Sequence, residues 1–96
     1  MSTADLYISA SNRYSQRLYE LHSAKVTHVA LQEMFLRIAG RCNAAVNAQL
    51  ENSVRSAMSE CNQLEVVVEQ AAQDVQNLMD VMVKEEQVKN ESGLFA

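Results

Sequence analysis

Two histidines, two cysteines, one arginine inside an apolar series and a pair of adjacent glutamates are the side chains here with chemical potential. His22 and His28 are six residues apart, about 240° around a helix, so they point to different faces and cannot chelate one metal ion together. One reads as solvated and the other as a member of a helix seam, where its charge could set register or respond to pH. Cys42 and Cys61 lie 19 positions apart, roughly 28 Å on a continuous helix and beyond disulfide reach. Cys61 reads as a small buried hydrophobe and Cys42 as an exposed thiol. Glu85 and Glu86 are neighbours on a helix end and splay apart into solvent rather than forming an acid/base pair. The five methionines suit irregular helix packing, and Met34, Met58 and Met79 also suit an adaptable contact surface. No Gly-rich phosphate loop, Ser/His/Asp set or Cys/His cluster occurs. The expectation is a chain without catalytic residues, metal or cofactor.

The elements behind these residues are helices. Ninety-six residues with no proline, two glycines and no tryptophan lack the turn residues of a β or α/β fold. From Leu50 to Met82 an apolar series recurs with alternating spacings of four and three: Leu50, Val54, Ala57, Cys61, Leu64, Val68, Ala71, Val75, Leu78 and Met82. Such a series marks a long helix packed lengthwise on another. The first half carries its own heptad in Tyr7, Tyr14, Leu21, His28 and Phe35, with Ala10, Arg17, Ala24, Leu31 and Ile38 three positions later.

Ser2 and Asp5 form a capping box for the first helix. Gly40 suits a left-handed residue at its end, and Asn43 suits the N-cap of the next. The spacing predicts helix 1 over about 3–39, a turn over 40–43, helix 2 over about 44–88 and a tail over 89–96 that Ser92-Gly93 separates from the helix. Folding about the midpoint of Cys42 and Asn43 pairs residues whose numbers sum to 85, placing Phe35 on Leu50, His28 on Ala57, Leu21 on Leu64 and Tyr14 on Ala71. Two of the larger groups, Tyr14 and His28, there meet alanine, the alternation a packed seam prefers. The expected fold is all-α: a two-helix antiparallel hairpin, completed to a four-helix bundle by a partner or by dimerisation. Val at a with Leu at d also suits a parallel dimer through helix 2.

Charge supports pairing of the two halves. Residues 1–41 carry five basic and three acidic groups, and residues 42–96 three basic and nine acidic. Arg13 is expected beside Asp74, and Arg17 is expected to lie along the groove on Val68 and reach Glu65 or Glu69. The net charge of −4 argues against nucleic acid, which needs a basic stripe. No apolar run approaches the ~18 residues of a membrane span. The opening Met1-Ser2-Thr3-Ala4-Asp5 lacks the basic and apolar regions of a signal peptide. The expectation is therefore a cytoplasmic chain, with export by a non-Sec route still open to it.

A hairpin leaves apolar residues uncovered. Tyr19, Val26, Val29 and Leu36 on helix 1, and Met58, Val67, Met79 and Val81 on helix 2, are expected to contact a partner, with Leu94 and Phe95 of the tail as a short docking or export signal. The partner would be another helical protein or a second copy.

In length, hairpin plan and the glycine at the turn (Gly40), the whole chain resembles the small helical-hairpin proteins of bacterial secretion, nearest in outline the WXG100-like group of type VII secretion. Ile38 stands where that group carries tryptophan, and Val81-Met82-Val83-Lys84-Glu85 is a degenerate form of its aromatic-x-x-x-acidic tail signal. Small needle subunits and chaperones of type III secretion are similarly short and helical. The resemblance implies a chaperone, a targeting partner or a small exported subunit of a protein-secretion system. A coiled-coil subunit of a scaffold or tethering complex is the alternative.

Overall fold

The computed structural model describes residues 2–94, with side chains through residue 90. Two helices, α1 (Thr3–Ile38) and α2 (Ala44–Leu94), run antiparallel and pack along the length of α1. The molecule measures 80 × 17 × 14 Å, a rod rather than a globule. The parallel arrangement through α2 is replaced by the hairpin.

The caps follow from residue type. Ser2 Oγ accepts from Asp5 N at 3.1 Å and Ser2 N donates to Asp5 Oδ2 at 3.3 Å, the reciprocal capping box. Asn43 Oδ1 accepts from Val46 N at 2.9 Å and starts α2. Between the helices, Ala39 (φ −58°, ψ 130°) and Gly40 (φ +82°) are the central residues of a type II turn closed by Arg41 N donating to Ile38 O at 3.0 Å. Gly40 is thus left-handed as expected, but it serves a β-turn. That turn requires extended backbone at Ala39, so α1 ends at Ile38.

α2 is longer than its pattern predicts. Ser92 and Gly93 do not stop it; the helix continues to Leu94. Each costs about 1 kcal/mol or less relative to alanine, and neither removes a backbone N–H as proline would. Adding residues to a helix already nucleated over many turns needs little further stabilisation. Three side-chain pairs four residues apart, Gln70–Asp74, Gln73–Asn77 and Gln76–Asp80, reinforce the middle of α2 at 2.8–3.2 Å.

All twenty seam residues named above are buried or half-buried. Register is read from two cross-helix contacts: Thr3 Oγ1 donates to Glu85 Oε1 at 2.9 Å, and Lys25 Nζ lies 3.5 Å from Glu65 Oε1. Their numbers sum to 88 and 90, slightly above 85. Side chains lean toward the N-terminus of their own helix. In an antiparallel pair, tips that meet therefore belong to residues with larger numbers than the backbones facing each other.

Two expected ion pairs form differently. Arg17 turns back to Glu20 at 3.0 Å rather than crossing to Glu65 or Glu69, and Glu65 is taken by Lys25. A partner one turn away on the same helix costs less side-chain ordering than one across the seam. Arg13 and Asp74 share a groove but form no ion pair within 4.0 Å among the described residues; Asp74 accepts from Gln70 instead. The seam also continues one position beyond Leu50, to Asn47, whose Nδ2 donates to Cys42 O at 3.3 Å and ties α2 to the turn.

Among the described residues only small side chains are buried, each with 5–9% of its surface still exposed: Ala10, Ala57, Cys61 and Ala71. A two-helix seam covers a residue from one direction only. Alanine fits entirely inside it, whereas Tyr, Leu and Phe protrude at the edges.

Candidate interaction surface

The seam has two open edges, and they differ in chemistry. With Tyr7 at a and Ala10 at d in α1, and Leu50 at d and Val54 at a in α2, the g positions flank one edge and the e positions the other. The g edge is mixed, its polar groups interrupted by exposed Leu6, Met34, Val67 and Val81. Its grooves are lined by Leu6, Ser9, Arg13, Asp74 and Asn77 near the open end, and by Glu20, Ser23, Thr27 and Glu60 near the middle. Each combines charged and hydroxyl groups with alanine and leucine, and the first adds the amide of Asn77.

The e edge is different. Positions e and b of α1 follow a ladder of threes and fours that carries Ile8, Leu18, Val29 and Leu36, all exposed. The corresponding ladder of α2 carries Met58, Ala72, Met79 and Val83. Tyr7, Met79, Met82, Val83 and Glu86 line a groove at the open end of this face. Its centre is polar: Lys25 and Glu65 make their ion pair there, with His22, Asn62 and Glu69 alongside. Near the turn the face is polar again, with Arg55 paired to Glu51 at 2.6 Å beside Gln32, so apolar and charged groups alternate along the rod.

The ten residues expected to bind a partner separate accordingly. The eight with described side chains are exposed, from Met79 at 39% to Tyr19 at 72%. Val29, Leu36, Met58 and Met79 all lie on the e edge, Val29 and Met58 at similar heights near its middle, Leu36 toward the turn and Met79 at the open end. Val67 and Val81 flank the opposite g edge, Tyr19 lines a groove of that edge, and Val26 lies on the back of α1. Leu94 is described only as the last residue of α2, and Phe95 lies outside the described residues. Ile8, Leu18 and Val83 belong to the same apolar face, and the e/b spacing was the sequence signal that marks them.

Among the described residues no three metal-ligating side chains converge, and no helix is long and apolar enough to cross a membrane. His22 is exposed and His28 half-buried in the seam. Cys42 is exposed and Cys61 buried, both as free thiols. No known protein family, curated protein or solved structure matches this chain.

Proposed function

We propose that this chain is a non-enzymatic interaction protein, half of a helical bundle whose other half comes from a helical partner. One observation carries the reading. The hairpin exposes 7283 Å², whereas a compact monomer of its mass exposes about 5,500 Å². Its radius of gyration is 22.2 Å, against about 12–13 Å for a compact chain of this length. No side chain is completely enclosed among the described residues. A fold that leaves its largest hydrophobes half in water lacks the burial that stabilises an independent domain, and a second helical layer supplies it.

Within this reading the setting we propose is bacterial protein secretion, with the chain acting as chaperone, targeting partner or small exported subunit, made in the cytoplasm and leaving, if exported, by a non-Sec route. The support is the resemblance in length, hairpin plan and the turn glycine Gly40; the glycine's left-handed conformation accords with it. The test has two parts. The isolated chain is melted over a hundredfold concentration range by circular dichroism, where marginal or concentration-dependent unfolding is expected. A high, concentration-independent transition of a monomer overturns the reading. The native complex is then purified and the export of its components compared with and without this chain; a complex with no secretion component assigns the chain to a scaffold or tether instead.

A further inference from the structure

We draw no further inference here: the strongest candidate, the unpartnered e edge of the hairpin around Val29 and Met58, carries apolar and charged groups in alternation, and nothing in the structure shows what covers it.

Discussion

Replacing Gly40 with L-alanine isolates the turn from the rest of the fold. Gly40 has φ +82°, and a Cβ built on it meets nothing within 4 Å. The substitution therefore creates no clash, and its cost is the left-handed backbone alone, about 1–2 kcal/mol for an L-residue. Against this, alanine restricts the unfolded chain and recovers about 0.4–1 kcal/mol. The net expectation is destabilisation by about 1 kcal/mol, or roughly 4–8 °C in melting temperature for a domain of this size. Chirality sharpens the experiment. D-alanine, introduced by ligating synthetic segments, adopts positive φ without strain, fits the same open space and retains the unfolded-state benefit. It should stabilise by about 0.4–1 kcal/mol. Asparagine, which tolerates the left-handed region, should fall between glycine and L-alanine. Urea and thermal unfolding followed by circular dichroism at one fixed protein concentration measure all three, since association makes stability concentration-dependent. Shifts of the same sign for L- and D-alanine would refute the reasoning, because they would make the response one of bulk rather than backbone handedness. A loss above about 3 kcal/mol for L-alanine would refute it too.

Asn43→Ala removes the side-chain bond to Val46 N and should cost about 1 kcal/mol in the same unfolding assay; Asn43→Ser should recover most of it, and an equal loss for both would place the role of Asn43 outside the cap. Ala71→Leu forces a larger side chain into the close approach of the helices, where alanine is only 6% exposed, and should destabilise by about 1–3 kcal/mol; a stabilising effect would mean that the seam is not close-packed there. A double-mutant cycle on Lys25 and Glu65, each about half exposed, should give a coupling below about 0.5 kcal/mol that fades with salt. A coupling above about 1.5 kcal/mol would mean that the pair is shielded from water, and dilution to monomer should then abolish the excess.

The fold was legible because its information is periodic. Twenty seam residues announce themselves by spacing, since a side chain facing another helix must recur near every 3.5 residues whatever its partner. Ser2, Asp5, Gly40 and Asn43 were legible for a local reason: each satisfies or bends backbone within a few residues of itself. Arg17 was not. Its choice of Glu20 over Glu65 depends on competition between a neighbour one turn away and another across the seam, and on Lys25 reaching Glu65 first. The end of α2 is not legible either, because Ser92 and Gly93 weaken a helix without breaking it.

The candidate surface divides along the same line. That apolar residues remain outside the seam follows from the pattern, and the eight described ones are exposed. Which of them lie together does not, because a sequence stripe belongs to one helix and a surface belongs to two. Val29 and Met58 come to share one edge near the middle of the rod, and Val67 goes to the other edge, only when α1 and α2 are set side by side with a particular rotation. The sequence by itself therefore determined two helices, the turn between them and the residues of their contact, all of which depend on periodicity and local hydrogen bonding. The tertiary structure decided which charges pair and which exposed hydrophobes form one surface, because both depend on distances between chain segments that one-dimensional spacing does not contain.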